Sequence, residues 1–423
     1  MNNLNAFLIS IAILTSCQLT AQTIALQNVK VHTAASAGTL ENITVLIKDG
    51  KINAIGTNLT LPANAVLQDL SGKVVTPGLV ATDTLLGMVE ISGGANAAET
   101  GSRAAAVSAG YDVKYAINPH STAIAVARQG GVSSAIVIPN AGAGNANFAG
   151  QAAILHLGAK PEISAQTAVV WEMRTQAAGR GALFVQLQAE LADVKRYARN
   201  KSAFAKGELT AKEWSVVDLD ALLPIIQGKK PLIAKVDRAS DILALLQLSQ
   251  QEKLQLVLLG AAEGWQVAND IAASGVTVII DPTNNLPSSF DEIAASAENT
   301  AKLHQAGVNI ILKGGSSAHD ASKIRFFAGM AVARGLPFDI ALQAVTVRPA
   351  RVFGATDFGT VAVGQKANLA IWSGDPFEPL TELTSLYING IKQPLTSRQN
   401  QLETKYIKTL QPAAALTDNR QGQ

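Results

Sequence analysis

Residue types that bind metals, attack carbonyls or cradle phosphates are sparse in this sequence of 423 residues. Its five histidines are His32, His120, His156, His304 and His319, and no two are close enough in sequence to form a local ligand pair. A zinc-like site needs three or more lone pairs converging on one ion. Such a site would have to be gathered from distant segments. Cys17 is the only cysteine, so the mature chain has no intramolecular disulfide. The glycine-rich run 142–150 follows a strand pattern but opens no clear helix, so it is not a dinucleotide fingerprint. The chemistry left open depends on which side chains the fold brings together.

The elements that must do this positioning are legible as patterns. Ile24–Val31 and Ile43–Lys48 alternate as short strands, and Asp49-Gly50 reads as a hairpin turn into Lys51–Gly56. The pattern returns at Ala370–Trp372 and Leu386–Ile388, with Asn389-Gly390 as a second hairpin turn. Two strand-rich ends around a long middle imply one small β domain built from both ends of the chain. In the middle, the runs at 135–138, 231–234, 256–259, 276–280 and 308–312 are unbroken apolar stretches. These read as strands buried on both faces. Amphipathic helices lie between them. One opens at Asp241 with Ile242, Leu245 and Leu246 on one face; another is striped by Phe290, Ile293, Ala294 and Ala297 and stops near Gly307. The expected fold is α/β: a (β/α)₈ TIM-type barrel with a small β-sandwich domain from both chain ends. Periodicity alone leaves a doubly wound sheet open.

The length allows a large core and a second, smaller domain. Charged residues make up 16% and hydrophobic ones 48%, a globular composition. A net charge of +2 without a long basic run gives no reason to expect nucleic acid. Residues 6–14 form an apolar stretch too short to span a bilayer. The expectation is export, to the periplasm or beyond, by a cut after Ala21. The alternative is a lipobox at Leu14-Thr15-Ser16-Cys17, which would anchor the protein to the outer membrane through a lipidated Cys17. The resulting division is a signal peptide at 1–21, the first part of the β domain at 22–76 and the barrel at 77–354. The second part of the β domain follows at 355–401, then a patternless tail at 402–423.

Longer motifs add a resemblance. Asp69–Leu79, ending in Val-Val-Thr-Pro-Gly-Leu, resembles the entry into an amidohydrolase superfamily barrel. Thr346–Gly354 resembles that family's T-x-N-P-A-x-x-x-G helix, and Gly359–Pro376 resembles its G-x-x-x-x-G-x-x-A-D-L exit. Ala116–Pro119 together with Gly130–Ser134 is similar to the imidazolonepropionase-like branch. The resemblance covers about residues 24–395 and implies a metal-dependent hydrolase of non-peptide carbon–nitrogen bonds. In that family a metal cage at the barrel mouth lowers the pKa of bound water, and an Asp moves the proton.

Against the family pattern the metal-ligand histidines are missing. In the segment V-T-P-G-L-I-D-x-H-x-H-x-G, aligned on Pro77-Gly78-Leu79 and Gly87, the histidine positions hold Asp83 and Leu85. The fifth-strand segment reads Lys235-Val236-Asp237, without His. The sixth reads Leu259-Gly260 with Glu263 following. The eighth reads Lys313-Gly314-Gly315-Ser316, so the catalytic Asp position holds Gly315. Glu172 is a weak candidate for the fourth-strand position. Asp83, Lys235, Asp237, Glu263 and Lys313 are therefore the candidate site residues, with the lysines supplying the positive charge a metal would have given. No metal is expected; zinc or a similar divalent ion enters only if a site is rebuilt from Asp83, His319 and Asp320. His32 and His304 read as surface residues, His156 as a satisfied strand histidine and His120 as a helix-start residue.

Three functions follow. One is the family's hydrolysis at a degenerate site. The second is a non-catalytic binding or partner subunit of an intact relative. The third is metal-independent chemistry with Lys235 or Lys313 as base or Schiff-base nucleophile. A small-molecule ligand in the barrel mouth and a homo- or hetero-oligomer are the expected partners.

Overall fold

The computed structural model describes residues 23–90, 98–104, 106–142, 147–164, 167–175, 179–209, 214–315 and 317–417, with side chains to 407. The leader read at 1–21, with Ala21 and Cys17, lies outside the described residues.

The β domain begins with β1 (Ile24–His32), β2 (Thr39–Lys48), β3 (Lys51–Gly56), β4 (Val66–Asp69) and β5 (Val74–Pro77). The chain then enters the barrel with β6 (Leu79–Thr84), β7 (Val132–Val137), β8 (Phe148–His156) and the short β9 (Glu162–Ile163). It continues with β10 (Ala168–Glu172), β11 (Leu232–Val236), β12 (Leu256–Gly260), β13 (Thr277–Ile280) and β14 (Asn309–Leu312). Finally β15 (Leu369–Trp372), β16 (Leu383–Ile388) and β17 (Ile391–Lys392) return to the first sheet. Both chain ends thus share one hydrogen-bonded sheet, ordered β17-β16-β15-β5-β1-β2-β3, with β4 on β1. Its own core includes Leu26, Val45, Ile47, Leu369 and Tyr387.

The two hairpin turns behave as their residues require. Asp49 and Gly50 both have positive φ, 51° and 75°, and so do Asn389 and Gly390, 51° and 72°. That is the backbone of a two-residue turn matching strand twist, and Asn-Gly or Asp-Gly adopts it at least cost. The turns sit back to back: a Cβ built on Gly50 would lie 2.9 Å from Asn389 O, so the contact admits no side chain there.

The barrel sheet is ordered β14-β13-β12-β11-β10-β8-β7-β6 and closes through a parallel bridge between Thr82 and Lys313. One strand departs from the expected parallel pattern. β8 runs antiparallel to both β7 and β10. An antiparallel neighbour needs only a short connection, whereas a parallel one needs a crossover of a dozen residues or more. The link 138–147 is correspondingly short and no helix falls there among the described residues.

Side-chain parity sets the two faces of the barrel. Ile233, Val257, Ile279 and Ile311 point inward with Val80, Ile136 and Val170, over a floor closed by Phe353 and Phe358. Their immediate neighbours along the strands, such as Leu232, Leu258, Val278 and Ile310, face the helices in the outer core. The helix Ala239–Glu252 buries Ile242, Leu245 and Leu246 as its stripe predicts. The stripe from Phe290 does not form. Only a single 3₁₀ turn, Phe290–Glu292, precedes a helix at Asn299–Gln305, and Phe290 and Ile293 face solvent. The preceding Pro282, Pro287 and run of Asn and Ser residues favour turns over a continuous helix.

The chain end also differs from its reading. Arg398–Thr417 forms an α-helix where a patternless tail from 402 was expected. Ser397 Oγ donates to Asn400 Oδ1 at its start, and Arg, Gln, Leu, Glu and Lys, which favour helix, supply most of its first three turns.

Candidate functional site

The period-two rule that makes the floor also makes the mouth. Two residues beyond the inward Val170, Ile233, Val257, Ile279 and Ile311 stand Glu172, Lys235, Leu259, Asp281 and Lys313. Register locks three of them side by side: Glu172 opposite Lys235, and Lys235 opposite Leu259. A cleft of about 480 Å³ opens over this ring at the C-terminal ends of the strands, where barrel proteins carry their sites.

Asp83 arrives there by a different route. Thr82 and Thr84 pair with adjacent residues of β7, so Asp83 is the extra residue of a bulge. Its φ is +58°, in the left-handed region that Asp tolerates better than most non-glycine residues. A bulge re-aims the side chain it displaces, and Asp83 lines the cleft together with Leu85.

Two ion pairs then span the mouth. Lys313 Nζ donates to Asp83 Oδ2 at 2.5 Å, and their side chains are only 15% and 11% exposed. Burial alone would push the Asp83 carboxyl up, but the ammonium groups of Lys313 and Lys235 override it and hold the carboxyl below its usual range. Burial likewise works against the charge on Lys313, and Asp83, Asp281 and Asp237 more than offset it, so its pKa is raised. The second pair is Lys235 Nζ donating to Glu172 Oε1 at 2.7 Å, with a further bond to Asn140 Oδ1 at 2.8 Å. Glu172 Oε1 also accepts from the backbone N–H of Ala141.

Asp237 sits at the same mouth with no cation in bonding distance among the described residues. Desolvation, with the nearby Glu292 and Glu263 charges adding to it, pushes its pKa up to about 6. Its Oδ1 accepts from the Ala262 N–H at 3.2 Å. Of the sequence candidates, Asp83, Lys235, Asp237 and Lys313 thus share one cleft. Glu263 is placed otherwise: its carboxylate accepts from Ala239 N–H at 3.0 Å and Ala294 N–H at 3.1 Å. It tethers the start of the Ala239–Glu252 helix and the loop after β13, a position outside the cleft lining. Asn140, Asp281, Glu292 and Asn299 also line the cleft and were missed. Strand parity could have found Asp281; the others come from loops and a helix start that carry no local signal.

At the eighth-strand position a side chain would have to displace Asp320. A Cβ built on Gly315 would lie 2.3 Å from Asp320 Oδ2. Asp320 is itself held by Ser317 and Lys323, in a capping box at the start of a 3₁₀ helix. His319 on the same turn is exposed. The set Asp83, His319 and Asp320 is therefore not assembled, because Asp83 is engaged by Lys313 and Asp320 by its own turn. Among the described residues no group of three or more His, Cys, Asp or Glu could hold a metal ion. The residues at the positions where the resemblance places metal ligands do not fit one: Leu85 and Leu259 have no lone pair, and the ammonium groups of Lys235 and Lys313 repel a cation.

The other histidines lie away from the mouth. His156 bridges Ser134 Oγ at 3.1 Å and Ser164 Oγ at 3.3 Å, a satisfied strand residue. His32 is less exposed than expected, bonded to Thr39 Oγ1 and packed on Phe338 at 4.7 Å between ring centroids. His120 is exposed just before the helix Thr122–Gln129, and His304 lies in the helix Asn299–Gln305.

Comparison with known proteins agrees with this frame. The amidohydrolase family profile matches residues 258–403. No curated protein matches the sequence. Among solved structures, an amidohydrolase from Thermotoga maritima superposes with a TM-score of 0.76 at 22% identity, covering 89% of this chain and 100% of that one. Molinate hydrolase gives 0.53 at 16% identity, covering 89% and 95%. Phenylurea hydrolase B gives 0.54 at 14% identity, covering 88% and 97%. The fold read from the resemblance is borne out: the barrel and β domain superpose on these structures, and the C-terminal third of the chain matches the amidohydrolase profile.

Proposed function

We propose that this chain keeps the amidohydrolase barrel as a binding protein whose metal chemistry has been replaced by internal ion pairs. The observation that carries this reading is the Lys313–Asp83 pair, with Lys235–Glu172 beside it, on the strand ends where the family resemblance puts metal ligands. A carboxylate in a half-buried mouth needs a partner to stay ionised, and an ammonium supplies it without an exchangeable coordination site. The lysines are poorly set for amine chemistry. An amine that attacks a carbonyl must lose its proton, and the neighbours of Lys313 raise its pKa. Lys235 spends two of its donors on Glu172 and Asn140.

A second reading rests on Asp237. A carboxylate with a pKa of about 6 in a cleft is a candidate general base, and it would support metal-free hydrolysis of a carbon–nitrogen bond. One experiment separates the two. The purified mature protein is dialysed, its metal content measured by mass spectrometry, and its hydrolysis of a panel of amides, ureas and cyclic imides followed. The binding reading expects no stoichiometric metal and no turnover. Turnover abolished by Asp237→Asn would favour the second reading. About one ion per chain, with hydrolysis that tracks it, would overturn both.

A further inference from the structure

One wall of the cleft is a single segment with little structure of its own. Asp281, Asn284, Ser288 and Glu292 all line the mouth, and all come from the link between β13 and the helix at Asn299. The regular structure in that link is the one 3₁₀ turn, Phe290–Glu292. Leu286, Phe290 and Ile293 are 74%, 88% and 64% exposed, so the segment gains little from burying apolar surface. Polar bonds hold it instead. At one end Arg334 donates to Pro282 O. At the other, Trp265 Nε1 donates to Ala294 O at 2.8 Å and Glu263 accepts the Ala294 N–H. Ser288 donates to Glu292 within the segment, which shapes it without fastening it. Between the two pins, the side-chain bonds to the rest of the barrel run through Asp291 among the described residues. Its carboxylate accepts from Arg180 and from Thr175 Oγ1. The post on the far side is rigid. Arg180 opens the helix Arg180–Arg199, which buries Leu183, Leu187 and Leu191. Its Nε donates at 2.9 Å to Asp241 Oδ2, in the first turn of Ala239–Glu252. Asp241 and Asp291 both line a side chamber of about 160 Å³, together with Met173. Lys235 and Asp237 line this chamber and the main cleft alike, so they stand between the two.

We propose that residues 283–293 form a lid on the barrel mouth and that Arg180 is its latch. With its guanidinium fixed by Asp241, Arg180 holds Asp291, and through it the lid, against the barrel over the side chamber. When the Arg180–Asp291 pair parts, the pinned ends act as hinges, the chamber opens and the cleft widens. The two side chains of that pair are 33% and 29% exposed. Their hold is therefore modest and screened by salt, which suits a segment that opens while the barrel stays folded. The lid goes beyond both readings of the cleft, since a binding site and a hydrolytic one each need controlled entry.

The test times the labelling of a thiol placed in the side chamber. Cys17 is the only native cysteine and falls in the leader read at 1–21, so Met173→Cys gives the mature protein one reactive thiol. Its reaction with N-ethylmaleimide is followed, and hydrogen exchange of residues 283–293 is measured in the chain that keeps Met173. Asp291→Ala is expected to speed both about fivefold and to leave exchange in the rest of the barrel unchanged. Arg180 is not the residue to remove, because the Asp241 side chain, 7% exposed, would lose its ion-pair partner. Raising salt to about 1 M should speed labelling about threefold with Asp291 present and have no effect in Asp291→Ala. Phe290→Ala, next to the latch but facing solvent, should match the parent in both measurements. Parental rates in Asp291→Ala would overturn the proposal, as would faster exchange without faster labelling. Faster exchange spread through the barrel, a salt effect that survives Asp291→Ala, or the same gain from Phe290→Ala would overturn the latch. No ligand enters the experiment, so its result stands apart from the metal and turnover measurements.

Discussion

The floor and the mouth of the barrel are two layers of the same strands, two residues apart, and they are built on different physics. On β11 the inward positions are Ile233 and then Lys235; on β14 they are Ile311 and then Lys313. The floor layer is apolar, fully enclosed and closed beneath by Phe353 and Phe358. Its stability comes from area removed from water and from contact density, which do not change with pH. The mouth layer carries charge in partial burial, so each side chain there depends on a partner. A floor position can be judged by its own fit, whereas a mouth position can be judged only as one of a pair.

The sharpest way to break that contrast is to remove one partner. Lys313→Met strands the Asp83 carboxylate and is expected to destabilise the fold by about 4 kcal/mol in chemical denaturation. Adding Asp83→Leu should return most of that loss, because two matched apolar side chains need no pairing. If the double variant is no more stable than Lys313→Met alone, the pair is not what holds the mouth. The floor should behave in the opposite way. Ile311→Ala should cost about 3 kcal/mol through the cavity it leaves, by nearly the same amount at pH 5 and pH 8. Marked pH dependence of that loss would show the two layers to be coupled.

The smallest effect expected is a gain. Asp237 has its folded pKa raised to about 6 from an unfolded value near 3.8. A raised carboxyl stabilises the fold most below the unfolded value, and the benefit is lost as pH rises through the folded one. Ionised Asp237 therefore weakens the protein above about pH 6. Asp237→Asn keeps an acceptor for the Ala262 N–H and should raise stability at pH 7.5 by about 1–3 kcal/mol, with little gain near pH 4. A Tm difference between variant and parent that does not grow between pH 4 and pH 7.5 would contradict this.

How much of this was legible beforehand depended on whether the signal was local. The hairpin turns at Asp49-Gly50 and Asn389-Gly390, the strand runs and the Asp241 helix are written in neighbouring residues, and they form as read. Lys235 and Lys313 were found by alignment with the family pattern; each follows an unbroken apolar run, and strand parity turns both to the mouth. Asp83 was found by alignment, but its bulge was not, since a register shift against β7 is a property of two segments. The reversal of β8 was hidden for the same reason. Phe290, Ile293, Ala294 and Ala297 have helical spacing, yet no core surface lies behind them, and spacing without a partner surface does not make a helix. Glu172 shows the limit most clearly. Its residue type was noted, but its partner lies 63 positions away on the next strand of the sheet.

The shared β sheet also sets a timetable. β5 takes β15 as a neighbour, with Thr76 opposite Ala370, and Trp372 Nε1 donates to Thr76 Oγ1 across 296 positions of chain. At ribosomal speeds of about 5–20 residues per second, the β5 edge waits about 15–60 s for that strand to be made. Until then the sheet cannot be completed, because β5 lacks the strand that pairs with it. A chain arranged in this way commits to its folded state late, after nearly all of it has been synthesised.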